Sequence, residues 1–299
     1  IFVGAPSVGG RAPMPAAARV VHEFFSRRVG GMALWRIWAG MMALGLISRQ
    51  ILDQPDGGPS AFFIDNKTRR TVPTTAADAL RYWLKVLLLF YSLFVEHRLL
   101  FSSLAATGQR KKTDAGRPAS FVREWLCLLC GAMFVVRVLV QMMWWRRTIS
   151  WVEVFAETGV IIPLSLASLG FGASRRQGKP IGVVELLGLL LFLLGTCINM
   201  WPEYTRHIWK SDPANTGRLY TGGMFSMCRH INYFGEVLSF VGFALVSAAL
   251  WNLWIPFVMG VGLMVFSVPE LDAYLSTRYT TDWAAYVDSV HCQMIPLVW

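Results

Sequence analysis

Seven runs of mostly apolar residues, most of them close to the roughly 17–25 that a helix needs to cross a bilayer, divide this chain. They lie near 30–49, 79–104, 124–145, 151–171, 181–201, 233–250 and 253–268. Inside hydrocarbon a backbone must satisfy its own hydrogen bonds, and long uninterrupted runs do so as helices. The expected fold class is therefore all-α, a polytopic integral membrane bundle of about seven transmembrane helices. The last two runs are short and joined by Trp251 and Asn252, which predicts a tight antiparallel hairpin.

Composition agrees. Hydrophobic residues make up 55% and charged residues 15% of the chain, a balance foreign to a soluble domain of this length. The net charge of +10 and the thirteen Trp suit basic loops and aromatic belts. Segments 50–78 and 107–123 are rich in Gly, Pro and charge and read as loops outside the membrane. The chain opens on Ile1 rather than Met, so a start was either removed or never determined. Residues 1–30 hold Arg11, Arg19, Arg27 and Arg28 against the single acid Glu23. That basic N-terminal arm reads either as the remnant of a mitochondrial targeting segment or as a cytoplasmic arm. Lys and Arg are nearly balanced between the two predicted sides, so charge assigns no orientation.

Of the five cysteines, Cys127 and Cys130 form a C-x-x-C inside an apolar run with no second ligand pair at metal spacing. They read as small core residues, and no metal site is expected. Ionisable residues within the runs are more informative, because charge in lipid needs a partner or water. Lys85 and Glu96 fall in the second run, Arg137 in the third, Glu153 and Glu157 in the fourth, and Glu185 in the fifth. Lys85 and the Glu153/Glu157 pair read as interfacial or helix-pairing groups. Arg137 is deeper and is a candidate for facing a cavity.

The longest polar interval of the second half runs from Asn199 to Glu236, pinned between apolar runs. Asn199 and Glu203 are one turn apart and share a helix face, as do Asn232 and Glu236. Lys210, Arg218 and Arg229 offer permanent positive charge for phosphate groups, and Gly217, Gly222 and Gly223 permit close backbone approach. A basic loop resting on lipid head groups would have the same composition. No G-x-G-x-x-G follows a predicted strand, so a dinucleotide would have to bind between helices.

The pattern Lys210-Ser-Asp-Pro-Ala-Asn215-x-Gly217-Arg218, then Gly222-Gly223-Met-Phe, then Arg229-His230-Ile231-Asn232-Tyr233-Phe234-Gly235-Glu236 resembles the C-terminal domain of the steroid 5α-reductase family. The likeness is greatest to its bacterial-type branch of membrane reductases, and Pro269-Glu-Leu-Asp272 with Asp282-Trp283-Ala-Ala-Tyr286 fits the same family's ending. The resemblance covers about 181–299 and divides the chain into the arm 1–30, N-terminal transmembrane helices 31–180, and the reductase-like domain 181–299 with a cofactor loop at 202–231. It implies NADPH as cofactor, with Asn199, Glu203, Lys210, Arg218, Asn232 and Glu236 along its path and Arg137 contacting it from the third helix, and the charge of Arg229 adds it to the cofactor-binding candidates. By spacing, Glu96 falls nearest the acid partner of catalysis on the second helix.

The implied activity is reduction of a carbon–carbon double bond in a lipid, sterol or isoprenoid. Three departures stand out: Ile231 replaces a proline, Glu203 replaces an aspartate, and Phe134 occupies the position, three before Arg137, where such reductases carry the tyrosine that polarises a ketone. Phenylalanine donates no proton. Two other readings stay open. One is a reductase-fold protein without turnover, serving as an accessory subunit of a larger membrane complex. The other is a membrane methyltransferase of the isoprenylcysteine type, whose R-H-P-x-Y segment is distantly alike. Expected partners are membrane lipids and a lipid-like substrate, with complex subunits under the accessory reading and no nucleic acid. The expected location is the endoplasmic reticulum or the mitochondrial inner membrane.

Overall fold

The computed structural model describes residues 28–29, 32–33, 76–101, 121–144, 149–176 and 179–298. Two two-residue strands, β1 (Arg28–Val29) and β2 (Met32–Ala33), pair antiparallel. Everything else regular among the described residues is helical: α1 (Ala76–Leu100), α2 (Val122–Trp144), α3 (Glu153–Ser174), α4 (Val183–Ser211), α5 (Ile231–Val246), α6 (Trp254–Arg278) and α7 (Thr280–Ser289).

Four described helices are long and apolar enough to cross a membrane: Val122–Met143, Glu153–Ser174, Val183–Ser211 and Leu250–Arg278. That supports an integral membrane protein but does not establish seven spans. The run at 30–49 lies outside the described residues apart from the paired Met32–Ala33. Helix α1 has the length, but Asp78, Arg81, Lys85, Glu96 and Arg98 lower its apolarity, and α5 stops at 16 residues. The expected hairpin of the last two runs forms, α5 turning through a 3-10 segment at Leu250–Leu253 onto α6. Helix α6 then runs past the predicted end at 268, through a π-helical turn at Leu263–Ser267, to Arg278.

The bundle is apolar outside as well as inside. Leu186, Leu190 and Leu194 of α4 and Phe257, Val261, Val265 and Phe266 of α6 point outward, Phe257 and Phe266 each 71% exposed. On a soluble protein such a surface would aggregate; against lipid it is the expected face.

Helices α4 and α5 form the tightest pair. Gly188, Phe192, Gly195 and Asn199 are buried along α4 at spacings of three to four, and Gly235, Ser239 and Gly242 along α5. A Cβ on Gly195 would overlap the Ser239 amide nitrogen, and one on Gly235 the Asn199 amide nitrogen. Small residues here let two backbones approach, as membrane helices require when no hydrophobic drive holds them together. The seam sets Asn199 and Asn232 side by side at one end of the bundle.

At the other end, Arg123 fastens α2 to the α3–α4 connection. Its guanidinium donates to the carbonyls of Arg176 (2.8 Å) and Pro180 (2.9 Å) and to Glu185 Oε1 (2.7 Å). Glu185 Oε2 in turn accepts from the Gly182 amide (2.9 Å), capping the start of α4.

Candidate functional site

The polar network is built on the inward faces of α2, α4 and α5. Arg137, 4% exposed, donates through Nη2 to Glu236 Oε1 (2.6 Å) and through Nη1 to Ser239 Oγ (3.3 Å). One turn further along α2, Gln141 Nε2 donates to Asn199 Oδ1 (2.8 Å), and Asn199 Nδ2 donates to the Asn232 carbonyl (3.0 Å). Asn232 Nδ2 donates to Glu203 Oε1 (3.0 Å), and the other Glu203 oxygen pairs with Arg206. Five of the residues singled out in the sequence thus fall in two neighbouring hydrogen-bonded groups, Arg137 with Glu236, and Asn199 with Asn232 and Glu203. Gln141 and Ser239, which the sequence reading missed, complete them. The available signal for Gln141 was its place four residues after Arg137, on the same face of an apolar helix.

Among the described residues three side-chain acceptors here have no hydrogen-bond partner, Asn232 Oδ1, Glu236 Oε2 and Gln141 Oε1, and the first two lie one helical turn apart. A buried donor, Arg137 Nε, is also unpaired. Phe134, one turn from Arg137, stacks edge-on against Phe240 (centroids 5.1 Å apart) and lies beneath the Arg137 guanidinium (5.2 Å).

The cations of the polar interval are placed differently from the expectation of an open phosphate loop. Helix α4 continues through Pro202 to Ser211, so the turn-rich segment is 212–230. The Lys210 ammonium is held by the Arg218 carbonyl and the Tyr279 hydroxyl (3.3 Å). The Arg218 side chain is exposed. Arg229, 8% exposed, donates to the Val290 carbonyl (2.9 Å) and faces Asp272 (3.6 Å), which also receives His230 Nε2 (2.6 Å). Backbone bonds from Arg229 to Cys292 (3.0 Å) and from His230 to Gln293 (2.7 Å) dock the C-terminal tail on the same turn. Gly217 and Gly223 have φ of 80° and 58°, so their role in the structure is the left-handed turn. Burial tends to raise the Tyr279 phenol, but Lys210 and Arg278 beside it outweigh that and hold it below the usual phenol range.

Glu96 stands apart. It is fully buried among α1, α2 and α3, with its carboxyl on Gly131 and its stem on Gly170. Neither of its oxygens has a hydrogen-bond partner among the described residues. From Gly131 to Arg137 is six residues of α2, roughly 9 Å along the axis. Glu124 shares this condition, fully buried with both oxygens unpaired, and the Cys127 and Cys130 free thiols line the same core. Lys85 is also fully buried, paired with Glu153 across α1 and α3 and with Glu157 at 3.9 Å.

Over 121 residues the chain is 31% identical to "Probable O-methyltransferase ustE" of Ustilaginoidea virens, covering 38% of this chain and 40% of that protein. Over 67 residues it is 33% identical to "3-oxo-5-alpha-steroid 4-dehydrogenase 2" of Macaca fascicularis, covering 22% of this chain and 25% of that protein. The chain thus matches less than half the length of either relative. A family described as "Protein of unknown function (DUF1295)" matches residues 134–290, just over half the chain and the whole of the α2–α4–α5 network. By that match the chain belongs to the DUF1295 family of proteins of unknown function.

Proposed function

We propose that this is a membrane reductase that uses NADPH to saturate a carbon–carbon double bond conjugated to a carbonyl in a lipid-like substrate. The observation that carries the reading is the pair of open acceptors one turn apart on α5, Asn232 Oδ1 and Glu236 Oε2, beside side chains that Arg137, Gln141, Asn199 and Glu203 hold in place. A carboxamide such as that of nicotinamide presents two N–H donors to such a pair. Likeness to a steroid dehydrogenase supports the same chemistry. Bound NADPH would supply a hydride to the β-carbon. The chain's part is to hold the carboxamide, to keep the adjoining charge balanced through the Arg137–Glu236 pair, and to deliver a proton to the carbonyl side of the substrate.

That last step is the weak one in this chain. Phe134 has no proton to give, and Glu96, the expected acid, sits in a separate core position. General acid help is worth about 10²–10⁴-fold in rate. In an assay following NADPH absorbance, wild type should reduce 3-keto-steroid enones slowly, and Phe134→Tyr should raise that rate at least about tenfold. Brisk wild-type turnover on such steroids would show that the proton comes from elsewhere. The endoplasmic reticulum as site, a lipid-like substrate, and the roles given to Lys210, Arg218 and Arg229 are parts of the proposal. The mitochondrial alternative rested on residues 1–30, almost all outside the described residues.

A second reading has an observation in its favour. The match to a protein named as an O-methyltransferase is longer than the match to the reductase. On that reading the open acceptors would face the amino group of a methyl donor. A nucleotide-free chain inactive on every enone lipid would instead support the accessory-subunit reading.

A further inference from the structure

At the end of the bundle opposite the polar network, a recess of about 430 Å³ opens between the end of α3 and the turn into α6. Phe171, Arg175 and Arg176 line one wall, and Ala249, Leu250 and Trp251 the other. The recess has fixed walls. Arg123 holds the Arg176 carbonyl at 2.8 Å. On the facing side, Asn252 accepts from Ser168 (2.7 Å) and donates to Ser247 (2.8 Å), and Trp254 Nε1 donates to Ser168 (3.3 Å). That buried set locks the turn to α3.

The electrostatics are one-sided. The Arg175 guanidinium carbon lies 5.8 Å from the centroid of the Phe171 ring, and the guanidinium N–H groups make no hydrogen bond among the described residues. Neither Arg175 nor Arg176 has a carboxylate partner among the described residues. Two unpaired guanidiniums beside a recess call for an anion able to take forked hydrogen bonds, and phosphate fits. Their place at the C-terminus of α3 already uses part of their charge on the helix dipole. The remaining clue is at the lip, where Leu250 and Trp251 are 67% and 51% exposed. A free phosphate would leave them uncovered, whereas an acyl chain leaving the recess would lie on them.

We propose that this recess seats the phosphate headgroup of an anionic phospholipid, with Arg175 and Arg176 on the phosphate and Leu250 and Trp251 under the chain. The site is independent of the nucleotide reading. Basic pockets between membrane helices at the interface bind such headgroups.

The test is thermal unfolding of the full chain, purified in a neutral detergent, with short-chain phosphatidylglycerol, phosphatidylcholine of the same chain length, or inorganic phosphate added at equal concentration. Phosphatidylglycerol should raise the midpoint by about 3 °C or more, by the mass action of binding to the folded state, and the other two should not. The Arg175→Gln/Arg176→Gln double variant should lose at least half of that rise, and the double Lys variant should retain most of it. An equal rise with phosphatidylcholine would overturn charge recognition, and an equal rise with phosphate would make this a free-anion site. No rise in wild type, or an undiminished rise in the Gln variant, would place the lipid elsewhere or nowhere. Should the Gln variant not fold, the contrast among the three additives in wild type still decides.

Discussion

Two buried polar regions of this molecule are handled in opposite ways. Between α2, α4 and α5, Arg137, Gln141, Asn199, Glu203, Asn232 and Glu236 each have at least one side-chain hydrogen bond, Arg137 Nε being the one buried atom of the group left unpaired among the described residues. Among α1, α2 and α3, Glu96 and Glu124 are fully buried with neither oxygen of either group bonded. The surrounding glycines differ in the same sense. Those on the α4–α5 seam are hemmed in by backbone, whereas Gly131 is hemmed in by the carboxyl end of Glu96. One region is a rigid frame with polar atoms fixed in place. The other holds buried carboxyls that no side chain bonds, which is how groups kept for function commonly look.

The sharpest way to break the contrast is through the glycines. Gly235→Ala puts a methyl onto the Asn199 amide, and neither backbone can give way. Overpacking of this kind costs typically 1–3 kcal/mol and sometimes more. Gly235→Ala should lie at about 3 kcal/mol or above, read as loss of a monodisperse folded peak or a large drop in unfolding midpoint in detergent. A midpoint unchanged from wild type would mean that the seam is looser than described.

Next in size is a difference of sign. Arg137→Met removes the partner of Glu236 and should destabilise by about 1.5–3 kcal/mol, the range for hydrogen bonds to charged groups. Glu96→Met removes an unpartnered buried acid and should stabilise by about 1–2 kcal/mol. Both are measurable by the same unfolding midpoints. If Glu96→Met destabilised instead, the two regions would not differ as proposed.

The smallest effect is a coupling. Gly131→Ala clashes with the Glu96 carboxyl and should cost about 1 kcal/mol, since only the end of a flexible side chain must move. In the Glu96→Ala background that cost should vanish. A double-mutant cycle reads the interaction directly, and additive costs would separate the two residues.

The sequence showed the network's ingredients better than its wiring. Asn199 with Glu203, and Asn232 with Glu236, were legible because one-turn spacing puts both members of each pair on one face. Arg137 was legible because charge in an apolar run must be satisfied. What joins them was not, because the Gly188–Gly195 and Gly235–Gly242 seam carries its information in missing side chains. The contacts of Lys210 and Arg229 within the fold were not legible either. Arg229 is held by Asp272 and Val290, and Lys210 by Tyr279, contacts spanning 43 to 69 residues that spacing cannot show. Pro202 was read as the start of a loop, yet α4 runs through it, losing one backbone donor but keeping its course.

The central claim is that the open acceptors on α5 receive a nicotinamide nucleotide, and calorimetric titration of the purified chain tests it most directly. NADPH and S-adenosylmethionine are each titrated into wild type and into Asn232→Ala. The account predicts that NADPH binds wild type, that Asn232→Ala weakens it about five- to tenfold through one lost hydrogen bond, and that S-adenosylmethionine neither binds nor competes. Binding of S-adenosylmethionine with no heat from NADPH would contradict it and move the chain to the methyl-transfer reading.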